Sequence, residues 1–118
     1  MRSVSFIAGC AFIASTCFAF ARDPVGHYKV SGSNPGGNGS YSGEVTVKKT
    51  GDTFEVSWTV GDTKYVGTGV GNDEFITVGY KSGDSTGVAL YSHEGDNWKG
   101  IWTYAGGTTL GLENWTRD

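Results

Sequence analysis

Beyond residue 21 the chain contains no cysteine; Cys10 and Cys17 both fall earlier. A domain built from the remainder has no disulfide to staple it, and it has no thiolate to serve as nucleophile or metal ligand. Methionine is missing there too, and proline occurs only at Pro24 and Pro35. Basic charge is sparse: residues 22–118 carry 8 Lys and Arg against 12 Asp and Glu, and Lys48-Lys49 is the largest basic cluster. No nucleic-acid partner is expected, since phosphate contacts need a basic face. The mature chain holds no apolar run of membrane-spanning length, so no span is expected in it. Helical periodicity is absent after the first 21 residues.

Those first residues, MRSVSFIAGCAFIASTCFAFA, have the layout of a secretory leader. Arg2 supplies the positive end, an apolar run follows to about Phe20, and Ala19 and Ala21 form an A-x-A site. The expected cut falls between Ala21 and Arg22. It leaves one domain, residues 22–118, exported to the periplasm or beyond. IAGC at 7–10 also resembles a lipoprotein box, but the apolar stretch before it would be only a few residues.

What the mature chain has in quantity is glycine, placed with a beat. Gly51, Gly61, Gly71, Gly83, Gly95 and Gly106 are spaced by 10, 10, 12, 12 and 11 residues, most beside Asp or Asn. Such pairs mark tight reversals. Between them the sequence alternates. In TFEVSWTV, Phe54, Val56, Trp58 and Val60 share one face; in NWKGIWTY, Trp98, Gly100, Trp102 and Tyr104 do. Period two and β-branched or aromatic content define half-buried strands. The pattern predicts an all-β single domain of about eight short strands, near 26–32, 40–49, 53–60, 63–70, 74–81, 86–92, 97–104 and 109–116. Tight connections make it an antiparallel up-and-down meander, and closure into a barrel, calycin-like, removes the exposed edges. A barrel of this size is filled by side chains or holds one small ligand. The longer segment SGSNPGGNG, 31–39, reads as a surface loop and makes Asn34 and Asn38 candidate contact residues.

Several motifs dissolve in this context. YVGTGVGND, 65–73, resembles a phosphate loop, but its glycines follow G-x-G-x-G and lead into another strand rather than a helix. Gly71-Asn72 instead supplies a turn. His93, Glu94 and Asp96 form a polar turn tip with too few ligands to wrap an ion, so no metal or cofactor is expected. The acids fall mostly in turns, where they serve solubility. No nucleophile, base and orienter occur in motif context, and no enzyme activity is expected. Three aromatic-x-glycine pairs, Tyr41/Gly43, Tyr65/Gly67 and Trp98/Gly100, read as packing, with the glycine making room for a ring.

The aromatics carry the remaining signal. Trp58, Trp98, Trp102 and Trp115 accompany six tyrosines. Large rings supply core area that a disulfide-free domain needs, and any at a barrel mouth can stack on a ligand or anchor a partner. These four tryptophans are the other candidate binding residues. Trp115 alternates with Glu113 rather than with Leu110 and Leu112, which predicts an exposed position for it.

The runs GHYKVSGSNPGGNGSYSGEVTVKKTGDTFEVSW, YVGTGVG, GVALY and WKGIWTYAGGTTLGLENW resemble a family of small secreted alphaproteobacterial proteins over nearly all of the mature chain. That family is commonly labelled fibronectin-binding. The resemblance implies a non-enzymatic, adhesin-type protein whose partner is fibronectin or another extracellular protein; it supplies no binding residues. Strand number and tryptophan use are also similar to those of avidin and lipocalin-type barrels, which implies a small-ligand carrier. Inhibition of a secreted hydrolase through rigid loops is a third expectation.

Overall fold

The computed structural model describes residues 23–118; the leader and its expected cut at Ala21 and Arg22 lie outside the described residues. Eight strands follow one another: β1 (Gly26–Ser33), β2 (Ser40–Thr50), β3 (Thr53–Val60), β4 (Thr63–Gly71), β5 (Phe75–Ser82), β6 (Ser85–Glu94), β7 (Asn97–Tyr104) and β8 (Gly111–Arg117). Each pairs antiparallel with its neighbours in sequence, and β8 pairs with β1, which closes the barrel. The all-β, up-and-down meander expected from the turn spacing is thus the observed fold.

Hairpin chemistry sets most of the connections. Gly51, Gly61, Gly83 and Gly95 each open a two-residue loop with φ of 64, 61, 59 and 65°. A positive φ at the first loop position is what a type II′ hairpin requires, and glycine adopts it without a Cβ clash. The β4–β5 reversal differs from expectation. Gly71 is the last residue of β4 and has no positive φ. The turn is made instead by Asn72, whose Oδ1 accepts hydrogen bonds from the backbone N–H of Glu74 (2.8 Å) and Phe75 (3.2 Å). An Asx-turn of this kind replaces a glycine turn.

Strand direction sorts the loops onto two ends. Residues 34–39, 61–62, 83–84 and 105–110 lie at one end; 51–52, 72–74, 95–96 and the start of β1 lie at the other. The two six-residue connections therefore share an end. The first contains a 3-10 turn at Pro35–Gly37, with Pro35 buried, and its base is held by Asn34 N–H donating to Gly39 O (2.9 Å).

The end without long loops is packed solid. Tyr28, Val45, Val47, Val56, Ile76, Val78, Trp98 and Trp115 are at most 2% exposed. Trp115 lies against Tyr91 and Tyr28, with ring centroids 4.1 and 5.4 Å away. Arg117 ties the chain down there. Its guanidinium sits 4.7 Å from the centre of the Tyr28 ring and donates to the carbonyls of Asp23, Val25 and Asp96.

Trp115 corrects the sequence expectation, being fully buried. On β8 the alternation holds but its polarity is reversed: Gly111, Glu113 and Trp115 point inward, while Leu112 faces solvent at 56% exposure. A carboxylate occupies the interior and a leucine the surface, because the interior supplies hydrogen-bond donors to that carboxylate.

Candidate functional site

Glu113 is the one buried charged residue among the described residues, at 5% exposure. Four side chains from four strands donate to it. Tyr41 on β2 gives its hydroxyl to Oε1 at 2.5 Å. Trp58 on β3, Tyr91 on β6 and Trp115 on β8 each donate to Oε2 at 2.7 Å. An ionised carboxylate is acceptor-only, with about two lone-pair sites on each oxygen; here Oε2 receives three donors and Oε1 one. None of them carries a charge. The arrangement replaces the water lost on burial with fixed dipoles rather than with a counter-ion.

The donors are perturbed in return. Burial, followed by the Glu113 charge, raises the Tyr41 and Tyr91 phenols well above the usual tyrosine value. Both stay protonated, and so remain donors, across the ordinary pH range. Burial also pushes Tyr80 up to about 12.

Above this carboxylate the barrel is not filled. A cavity of about 160 Å³ opens toward the end that bears the two long loops, and Glu113 forms part of its lining. Six rings line it: Tyr41, Trp58, Tyr65, Tyr80, Tyr91 and Trp102. Asn34 and Val60 complete the wall, and no Lys, Arg or His takes part. The rings brace one another edge to face. Tyr80 meets Trp58 (5.8 Å), Tyr65 (6.0 Å) and Trp102 (6.3 Å), and Tyr41 meets Trp102 (6.0 Å). Such T-shaped pairs fix ring orientation before any ligand arrives. Trp102 Nε1 is buried without a hydrogen bond of good geometry, and the Tyr41 hydroxyl is the group it acts on.

Glycines hold these rings in place from the neighbouring strand. Tyr41 stands opposite Gly32, Tyr80 opposite Gly87, Tyr91 opposite Gly100 and Trp102 opposite Gly111. A Cβ at any of these glycines would run into the facing ring and into backbone. Of the aromatic-x-glycine pairs in the sequence only Gly100 lies under a ring, and that ring is Tyr91 on the neighbouring strand rather than Trp98; a Cβ at Gly43 would meet Thr59 and Val60, and one at Gly67 would meet Val78, Gly79 and the Tyr80 Cβ.

The candidate residues divide. Trp58, Trp102 and Asn34 line the cavity. Asn34 Nδ2 is committed to Asn38 O at 3.0 Å. Asn38 is exposed on the loop and outside the lining, Trp98 is buried at the packed end, and Trp115 lies beneath the cavity as a donor to Glu113. The sequence reading missed Tyr41, Tyr65, Tyr80, Tyr91 and Glu113. Strand parity carries the signal for them: Tyr41 has the parity of Val45 and Val47, and Glu113 that of Trp115. Among the described residues no three His, Cys, Asp or Glu side chains converge as a metal site, and no helix is long and apolar enough to cross a membrane.

Fold and site together define a class: a calycin-like, up-and-down β-barrel, packed at one end and open to an aromatic cavity at the other. No protein-family profile matches the chain, and no curated protein matches its sequence. The likeness to secreted alphaproteobacterial proteins therefore stands on the quoted motifs alone.

Proposed function

We propose that this protein is an exported, non-enzymatic barrel that binds a small ligand in its open end. One observation carries the reading: the interior is filled at one end and left open at the other, with ordered rings rather than flexible side chains around the space. Preformed concave sites with apolar walls and few polar groups are the usual form of small-molecule pockets. At about 160 Å³ the space suits a ligand of roughly one ring, since an engineered cavity of comparable volume holds benzene. A larger ligand would leave part of itself among the loops.

The test is an NMR titration with a panel of small cyclic and branched compounds, read at the four indole N–H signals. Saturable shifts at Trp58 and Trp102, with Trp98 unmoved, are the expected result. A panel that leaves Trp58 and Trp102 unmoved refutes the reading.

A second reading, a protein partner such as fibronectin, is favoured by the outer surface. Leu90, Ile101 and Leu112 stand in register across β6, β7 and β8, exposed by 43, 38 and 56%. Contiguous exposed apolar surface marks interaction sites. Saturable binding in surface plasmon resonance with fibronectin, lost on changing Leu90 and Leu112 to serine, supports this reading; a flat response removes fibronectin as the partner.

A further inference from the structure

The shape of the cavity sets the size of its occupant, and the charge and chemistry of its wall set the class. Resting on the small-ligand reading above, we propose that the open end binds a small alkylated ammonium cation, of the trimethylammonium type.

Three observations converge on this chemistry. First, the cavity is walled by the rings of Tyr41, Trp58, Tyr65, Tyr80, Tyr91 and Trp102. Aromatic faces attract a cation through the ring quadrupole, tryptophan most strongly, and multi-ring cages are how proteins hold quaternary ammonium groups. Second, the lining contains a carboxylate with no basic partner. Every donor to Glu113 is neutral, and no basic side chain lines the space. A carboxylate in such surroundings sets a field that favours a cation and disfavours an anion. Third, the wall is poor in charged oxygen ligands. Glu113 is its one carboxylate, with three donors already on Oε2 and one on Oε1, and the other side-chain oxygens are the neutral Tyr phenols and Asn34 Oδ1.

The third point separates kinds of cation. A metal ion or primary ammonium is strongly hydrated and needs oxygen ligands in exchange for its water. This lining offers one carboxylate, and among the described residues no three His, Cys, Asp or Glu side chains converge. A trimethylammonium group holds its water weakly, has no N–H to satisfy and presents methyl groups to the rings. Choline carries such a group on a short hydroxyethyl arm and serves as the probe.

The experiment compares choline with 3,3-dimethylbutan-1-ol, its uncharged isostere, and with 3,3-dimethylbutyrate, by calorimetric titration of the protein at fixed ionic strength. Shape, methyl count and hydroxyl are the same in choline and the alcohol, so their difference reports charge alone. Choline is expected to bind about ten-fold tighter than the alcohol, which is the scale of a desolvated cation–ring interaction, and the butyrate weakest of the three. Glu113→Gln is expected to narrow the choline–alcohol gap. Should that variant fail to fold, Tyr65→Leu at the half-buried rim is expected to weaken choline more than the alcohol. Equal or tighter binding of the alcohol overturns the cation inference and leaves the small-ligand reading standing. No binding of any of the three overturns the inference, and the indole titration with the wider panel then decides whether the small-ligand reading falls with it.

Discussion

Trp58 on β3 donates its indole N–H to Glu113 on β8 across the barrel interior, at 2.7 Å and 55 positions apart in the chain. The bond joins strands that are not neighbours in the sheet. With Tyr41, Tyr91 and Trp115 it makes Glu113 a cross-brace of the closed sheet as well as a charge beneath the cavity.

Removing that carboxylate is therefore expected to be costly. Glu113→Ala strands four donors, three of them buried, and leaves a void, and an unmet buried donor costs about 1–3 kcal/mol. A net loss of about 3–5 kcal/mol is expected, the scale for breaking a buried charged network. Glu113→Gln keeps the shape and one acceptor and should lose less. Urea midpoints check the order; an alanine variant as stable as the parent refutes the bracing role.

The ring-over-glycine contacts make a separable prediction. Gly87→Ala places a methyl against the Tyr80 ring and the Thr103 carbonyl, and overpacking of this kind costs about 1–3 kcal/mol. Tyr80→Leu alone loses packing and edge contacts. Combined, the two should be less damaging than their sum, because the smaller side chain relieves the clash. Additive losses in a double-mutant cycle count against the cross-strand contact.

Much of this architecture is legible in the sequence, and the failures have specific causes. The strands followed from alternation and from glycines at hairpin positions, because both are local. Which face of β8 points inward did not follow. Ranking Leu110 and Leu112 above Glu113 in apolar character gives the wrong face, since only the folded barrel brings Tyr41, 72 positions away, to the carboxylate. The same gap hid the cavity. Tyr65 and Tyr80 are adjacent on β4 and β5 only through their register, and whether such rings meet or leave a space is decided by glycines on the next strand. The family resemblance pointed to a protein partner and contained no information about the interior.

Alkaline stability offers a check that needs no mutation. Burial raises Tyr28 and Tyr80 to about 12 and holds Tyr91 well above the usual value. An unfolded tyrosine titrates near 10. Between these limits the unfolded chain binds fewer protons than the folded one, so unfolding free energy falls as pH rises. The tyrosine contribution is complete below about pH 10 and is lost as pH climbs through about 12. Urea midpoints should hold from pH 8 to 9.5 and then drop steeply, with phenolate absorbance appearing at the unfolding transition. Full phenolate formation in the native state near pH 10 contradicts the buried network.

Arg117 is expected to act through geometry rather than charge. It lies over the Tyr28 ring and gives its nitrogens to three backbone carbonyls, two of them in the segment leading into β1. Lysine has neither the planar fork nor the stacking face. Arg117→Lys should therefore behave much like Arg117→Ala, with faster amide exchange at Val25 and Gly26. Restoration of slow exchange by lysine shows that the positive charge alone secures this end.

The division of the barrel into a packed and an open half makes the last prediction. Trp98 is 1% exposed among the packed residues, whereas Trp102 lines the cavity and is only half-buried. Trp98→Leu removes buried ring area and should cost about 2–4 kcal/mol, within the range for large-to-small core changes, while the cavity wall keeps its shape. Trp102→Leu removes a wall of the site and less of the core, so it should weaken choline or any other occupant more than it lowers the urea midpoint. Measuring both quantities on both variants gives a crossed pattern if stability and binding reside in opposite ends. Parallel losses in the two variants show instead that the interior acts as one unit, and the open end then has no independent role in binding.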